Sequence, residues 1–218
     1  MAWNVILFDL DGTLTDPKVG ICSAVRHALG AFGIEVASLD ELTAFIGPPL
    51  HDAFPEYYGF DAAQTELAVK KFREYFSVRG WAENEPYPGI GELLAALRGA
   101  GKRLIVATSK PENFAVRILE HFGLAQYFER ICGAPEDDIA ACAKSEVIRN
   151  ALKRAKIDTL DGIVMVGDRR HDVQGAHTVG LPVIGVLYGY GGRGELTKAG
   201  ADYLAADLGE LRTLLLGD

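Results

Sequence analysis

The chain has 218 residues, 49% hydrophobic and 24% charged, the balance of a globular protein long enough for one elaborated domain or a core with a small second domain. An extended multidomain machine and global disorder are excluded. Twenty-two Lys and Arg against 30 Asp and Glu leave a formal charge of −8; that field repels a phosphate backbone, so no nucleic-acid polymer is expected as a partner, and an anionic small ligand would need cations or N–H groups gathered locally.

Val5-Ile6-Leu7-Phe8 begins the pattern, with a strand predicted over 4–8. Helical patterns then follow one another over 19–32, 39–45, 50–57 and 62–78 with no strand between them. Pro17 precedes this stretch and Glu85-Pro86-Tyr87-Pro88-Gly89 follows it, so both ends read as domain junctions. From there strands and helices alternate: strands at 103–107, 130–132, 162–166 and 182–187, helices at 112–122 and 145–155, and an amphipathic C-terminal helix ending in Leu214-Leu215-Leu216. The alternation predicts an α/β fold with a Rossmann-like parallel sheet. Ile163-Val164-Met165-Val166 and Leu104-Ile105-Val106-Ala107 are continuous apolar runs, as central strands are. The expected organisation is a discontinuous α/β core, 1–16 and 83–218, with a helical cap at 17–82.

Cys22, Cys132 and Cys142 are odd in number and lack C-x-x-C spacing, which predicts neither a disulfide framework nor a zinc cage and makes a reducing cytoplasm the default. The N-terminus has no positive region before its short apolar run, and no stretch approaches the length of a membrane span. A soluble, cytoplasmic protein without a membrane partner is expected.

The chemistry sits at strand ends. Phe8-Asp9-Leu10-Asp11-Gly12-Thr13 puts two carboxylates after the first strand, on one side if the segment stays extended. Like charges that close need a cation or a proton between them, and Mg²⁺ shared with a substrate phosphate is the natural solution. Alone, Asp11-Gly12 would be only a turn. Thr108-Ser109-Lys110-Pro111 offers a hydroxyl and free N–H groups before a helix, suited to a phosphoryl group, though Thr108 alone would be an ordinary cap. Lys144 alone would be a surface lysine, and Asp172 alone a first-turn acid. The strand at 162–166 ends in Gly167-Asp168-Arg169-Arg170-His171-Asp172, again acids at a C-terminal edge.

In this order, Asp9-Leu10-Asp11-Gly12-Thr13, Thr108, Lys144 and Gly167-Asp168 with Asp172 resemble the four motifs of the haloacid dehalogenase superfamily, and the helical insertion is similar to that family's C1 cap. The resemblance implies a phosphatase, because the second acid, Asp11, fits the phosphatase pattern rather than the dehalogenase one. It implies Asp9 as nucleophile forming an aspartyl-phosphate, and Asp11 as general acid then base. It assigns Thr108, the Ser109 N–H and Lys144 to the phosphoryl oxygens; Asp9, the Asp11 backbone carbonyl and Asp168 to Mg²⁺; and Asp172 to support. Within the superfamily, Phe8 to Thr13 together with Ile46-Gly47-Pro48-Pro49-Leu50 and Gly167-Asp168-Arg169-Arg170-His171-Asp172 resembles the phosphoglycolate phosphatase-like group, and Gly185-Val186-Leu187-Tyr188-Gly189-Tyr190-Gly191 its 5′-nucleotidase branch. Lys18, Gly47, Lys110, Arg169 and His171 are candidate contacts to a small phosphorylated metabolite. A phosphoglycolate phosphatase, a sugar phosphomutase, a pyrophosphatase and a noncatalytic phosphate-binding module stand as alternatives, and either a monomer or a homodimer is compatible.

Gly189-Tyr190-Gly191-Gly192-Arg193-Gly194 also fits G-x-G-x-x-G. A dinucleotide fingerprint belongs in a first βαβ unit with an acid after a second strand, and here too little chain follows; the segment reads as a flexible loop.

Overall fold

The computed structural model describes residues 3–135 and 143–217. Cys142 lies outside the described residues, while Cys22 and Cys132 are buried free thiols. The chain folds as two compact units, Met1–Thr15 with Pro86–Asp218, and Asp16–Glu85.

The first unit is built on β1 (Val5–Phe8), β4 (Arg103–Pro111), β5 (Arg130–Ala134), β6 (Ile163–Gly167), β7 (Val183–Val186) and β8 (Tyr203–Ala205), in the order β5-β4-β1-β6-β7-β8 with every pair parallel. Two short strands, β2 (Thr15–Asp16) and β3 (Glu85–Pro86), pair separately where the chain leaves and re-enters this unit. Its helices are α4 (Ile90–Gly99), α5 (Glu112–His121), α6 (Lys144–Arg154), α7 (Arg170–Val179), α8 (Gly192–Ala199) and α9 (Leu208–Leu216).

β1 is central because all four of its side chains are apolar and buried, so both faces of the strand can be covered. Val5 and Leu7 share a face with Ile105, Ala107, Ile163, Met165 and Val183 and pack on Val147, Ile148 and Ala151 of α6 and Val173 and Ala176 of α7. Ile6, Phe8, Leu104, Val106, Val164 and Val166 alternate with them and are equally buried. Each such side chain contributes about 1.5–3 kcal/mol of burial. Since the chain moves from β1 to one side for β4 and to the other for β6, the C-terminal end of β1 is a topological switch point, where open parallel sheets leave a crevice.

The parallel α/β core is the one expected. The structure adds β2, β3, α4 and α7 to the elements read from the sequence, and further features differ. β8 is a further strand of three residues, too short and too half-buried to show a period. β4 continues beyond 107 to Pro111, with its register against β5 shifted between Ala107 and Pro111. Residues 192–199 form α8, so the glycine-rich segment ends in a helix instead of a loop.

The second unit holds α1 (Lys18–Gly30), α2 (Leu50–Tyr58) and α3 (Ala62–Tyr75), with a 3₁₀ helix over Leu39–Phe45 and a π turn at Phe76–Gly80. Ser38 with Glu41 and Asp61 with Gln64 close capping boxes that fix two of the helix starts. Its core is aromatic: Phe45 meets Phe54 at 5.0 Å between ring centroids, Phe54 stacks on Phe60 at 5.8 Å, and Phe60 meets Phe32 at 4.6 Å.

Candidate active site

β1 delivers Asp9 directly from its last residue, and Asp9 N–H donates to the Val166 carbonyl at 2.9 Å, continuing the ladder to β6. β6 delivers Asp168 from its own end, and α7 begins two residues later, bringing Asp172 back in its first turn. The shift of register in β4 falls on Thr108-Ser109-Lys110; Thr108 and Lys110 are buried, Ser109 is half-buried, and the Thr108 Oγ1 accepts from Lys110 N–H at 3.2 Å. Lys144 opens α6 and is only 6% exposed, which no surface lysine would be.

Asp9, Asp168, Asp172 and Lys144 meet in one cluster. Lys144 Nζ lies 2.8 Å from Asp9 Oδ1 and 2.6 Å from Asp172 Oδ1. Asp172 Oδ2 accepts from Arg169 N–H at 3.0 Å, so both of its oxygens are engaged. Asp168 Oδ2 accepts from Tyr190 N–H at 2.7 Å, while its Oδ1 is buried with no hydrogen-bond partner among the described residues. Asp11 Oδ2 pairs with Lys110 Nζ at 2.7 Å. Glycines make the tight packing feasible: a Cβ on Gly167 would collide with the Asp172 carboxyl, and one on Gly175 would sit 2.6 Å from Lys144 Cβ.

Burial governs the protonation of the cluster. It raises Asp11 above the usual carboxylate range even though Lys110 pulls the other way. It raises Asp172 to about 6 against the opposing pull of Lys144, and raises Asp168 well above normal, with Asp172 adding to the shift. Lys144 is held protonated by Asp172 and Asp9 despite the burial that opposes its charge. Among the described residues, two buried ammonium groups pair with these acids, Lys110 with Asp11 and Lys144 with Asp9 and Asp172.

A divalent hard cation fits that donor set. One carboxylate oxygen each from Asp9, Asp168 and Asp172 lie within 4.8 Å of one another, oxygen ligands suit such an ion, and Asp168 Oδ1 is a buried carboxylate oxygen without a protein partner among the described residues. Because Lys144 and Arg169 N–H already engage Asp172, Asp9 and Asp168 are the more available ligands.

Arg169 and His171 follow Asp168 in the chain. Arg169 is 6% exposed and its Nε donates to Glu195 Oε1 at 3.0 Å. His171 is half-buried; burial, with Arg170 and Arg169 nearby, holds its imidazole below the usual value, and its Nε2 has no hydrogen-bond partner among the described residues. Lys18 and Gly47 belong to the second unit, where Lys18 Nζ pairs with Asp40 and Gly47 takes a φ of 106°. Sequence reasoning missed Glu195, which also accepts from Arg170 N–H at 2.8 Å, and missed that Gly189–Gly191 is packed against Asp168, correcting the expectation of a flexible loop. Gly175 was missed as well, since a glycine inside a helical pattern shows its contact only in three dimensions.

Among the described residues, no helix is long and apolar enough to cross a membrane. The profile of the haloacid dehalogenase-like hydrolases matches residues 6–186. A 5′-nucleotidase of Pseudomonas aeruginosa is 46% identical over 210 residues, covering 96% of this chain and 94% of that protein. The tyrosine-protein kinase PtkA of Mycobacterium tuberculosis is 44% identical, with 97% of this chain and 72% of that protein covered. The crystal structure of a predicted phosphatase from Clostridium acetobutylicum superposes with a TM-score of 0.96 at 44% identity, covering 100% of both chains. With carboxylates gathered at the switch point and a profile match spanning most of the core, the chain belongs to the haloacid dehalogenase-like hydrolases and is a phosphohydrolase of that superfamily.

Proposed function

We propose that the protein is a Mg²⁺-dependent phosphomonoesterase that works through an aspartyl-phosphate on Asp9 and acts on a small soluble phosphate ester, with nucleoside 5′-monophosphates the first candidates. The observation that carries this reading is the Asp9 carboxylate held 2.8 Å from the buried Lys144 ammonium, beside Asp168 and two residues from a second buried acid. The nucleotide preference is supported by likeness to the Pseudomonas 5′-nucleotidase.

In the proposed reaction an Asp9 oxygen attacks phosphorus while the bond from phosphorus to the ester oxygen breaks. Asp11, whose burial favours the neutral carboxyl, gives its proton to the departing oxygen. As a carboxylate it then takes a proton from the water that opens the acyl phosphate, which restores Asp9 and releases inorganic phosphate. Lys144, the Thr108 hydroxyl and the Ser109 N–H hold the equatorial oxygens through the transfer. Lys110 stays beside Asp11 and balances it when it is ionised. Asp172 keeps Lys144 aimed at Asp9. Asp9, the Asp11 carbonyl and Asp168 would hold Mg²⁺, which would supply charge neutralisation and orientation at the phosphoryl group.

Phosphate release is the test, measured with Mg²⁺ and with excess chelator across nucleoside 5′-monophosphates, phosphoglycolate, sugar phosphates, phosphotyrosine and pyrophosphate. Selective release that chelation removes is expected, and Asp9→Asn should lower kcat by more than about 10³-fold without changing the circular dichroism spectrum. Full activity in chelator overturns the metal assignment, and near-normal turnover by Asp9→Asn overturns the nucleophile. A preference for phosphoglycolate moves the substrate class, and burst formation of a bisphosphorylated sugar identifies a mutase.

A further inference from the structure

The G-x-G-x-x-G segment has no role in the chemistry above, yet its first two glycines lie against the acid at the end of β6. A Cβ on Gly189 would fall inside the contact radius of Asp168 Cβ and of the Gly12 carbonyl oxygen. A Cβ on Gly191 would overlap the Asp168 carbonyl oxygen. Between them, Tyr190 N–H donates to Asp168 Oδ2 at 2.7 Å. By contrast, nothing lies within 4 Å of a Cβ on Gly194, the third glycine of the motif. Two of the three glycines are thus required by the approach of backbone to one aspartate, and the third is not.

The segment is also tied down at its far end. Glu195 Oε1, in α8, accepts from Arg169 Nε at 3.0 Å and from Arg170 N–H at 2.8 Å, the two residues that follow Asp168. Asp168 is 0% exposed, and with Oδ2 engaged by an amide its rotation is blocked, which leaves Oδ1 as the oxygen free to meet a ligand.

We propose that Gly189-Tyr190-Gly191 is a positioning element for the metal site: it grips Asp168 by one oxygen and presents the other, with Asp9, to a divalent cation. This rests on the Mg²⁺ reading above and assigns to the loop a role in cation affinity separate from any contact with substrate. The amide acts as an outer-shell partner of a ligating carboxylate, and loss of such a partner weakens metal binding by about 10- to 100-fold.

The test is calorimetric titration of the metal-free protein with MgCl₂ in the absence of substrate, for the unsubstituted protein, Gly189→Ala, Gly191→Ala and Gly194→Ala. Gly189→Ala and Gly191→Ala should bind Mg²⁺ about 10- to 100-fold more weakly and Gly194→Ala as the unsubstituted protein does. In turnover, the Mg²⁺ concentration for half-activation should rise in the first two while the KM for substrate at saturating Mg²⁺ stays within about twofold. A purely structural role for the glycines would lower the melting temperature without separating those two constants. Equal Mg²⁺ affinity in Gly189→Ala and the unsubstituted protein, or the same weakening in Gly194→Ala, overturns the positioning role and leaves the Mg²⁺ reading intact; no Mg²⁺ binding by the unsubstituted protein overturns both. Should Gly189→Ala not fold, the Tyr190 amide proton resonance of the unsubstituted protein decides. It is expected to move along the Mg²⁺ titration with the calorimetric Kd, and an unmoved resonance overturns the proposal.

Discussion

Lys144→Met tests the balance of charge at the end of β1. The substitution keeps an unbranched side chain of similar length and good helix propensity at the start of α6, but removes the ammonium that lies 2.8 Å from Asp9 and 2.6 Å from Asp172. Both carboxylates are left buried, and breaking a buried pair by deleting one partner costs about 3–5 kcal/mol. In a chain of this length each kcal/mol moves the midpoint by about 2–4 °C, so the melting temperature should fall by about 6–20 °C. Asp172→Asn alone should also destabilise, because Lys144 loses a partner. In the Lys144→Met background the same change removes a stranded charge and should restore about 1–2 kcal/mol, so its sign reverses. The assay is thermal unfolding by circular dichroism in EDTA, read on the transition that Mg²⁺ shifts, since all the acids concerned lie in the first unit. Lys144→Met within about 1 kcal/mol of the unsubstituted protein, with additive effects of the two substitutions, would refute the reasoning.

Two further outcomes are expected away from the acids. Burial pushes the Cys22 thiol up to about 11, so at neutral pH it carries at most about one hundredth of the thiolate of a free cysteine; native-state alkylation followed by peptide mapping should find Cys22 unlabelled while a denatured control reacts, and labelling at the rate of a free thiol would contradict this. Arg103 reaches Glu129 with Nε at 2.7 Å and Nη2 at 2.8 Å and holds that carboxyl below its usual range. A depressed carboxylate stabilises above its unfolded pKa and loses that contribution as pH falls through the folded one. Arg103→Met should therefore cost no more than about 1 kcal/mol at pH 7 for this half-exposed pair, with the difference narrowing below about pH 4. A gap between the two urea curves that stays constant down to pH 3 would show that the pair is not its source.

The residues legible in the sequence were those whose physics is local. β1 and β6 are buried on both faces and so read as unbroken apolar runs, and acids immediately after such runs stand out. β8 did not, because three half-buried residues carry neither a run nor an alternation. Glycines at 189 and 191 looked mobile because the residue that suits a loose loop is also the one demanded by a cramped backbone; only the neighbouring Asp168 separates the two cases. The Tyr190 amide could not be found at all, since every residue but proline has one. Arg169 stands beside the acids in sequence, but whether a guanidinium faces a ligand or a neighbour such as Glu195 depends on α8, twenty-odd positions away.

The central place of β1 has a consequence for how the chain is made. Val5 finds its partners at Arg103 and Ile163, so the strand that anchors both halves of the sheet is made before either partner and waits for roughly a hundred further residues before an edge is covered, about 5–20 s at ordinary rates of synthesis. The helical unit of Asp16–Glu85 emerges whole within that interval, and its contacts are shorter in sequence than those of the sheet. Val5-Ile6-Leu7-Phe8 is apolar, uncharged and unpaired until β4 arrives, which leaves it open to mispairing in the nascent protein.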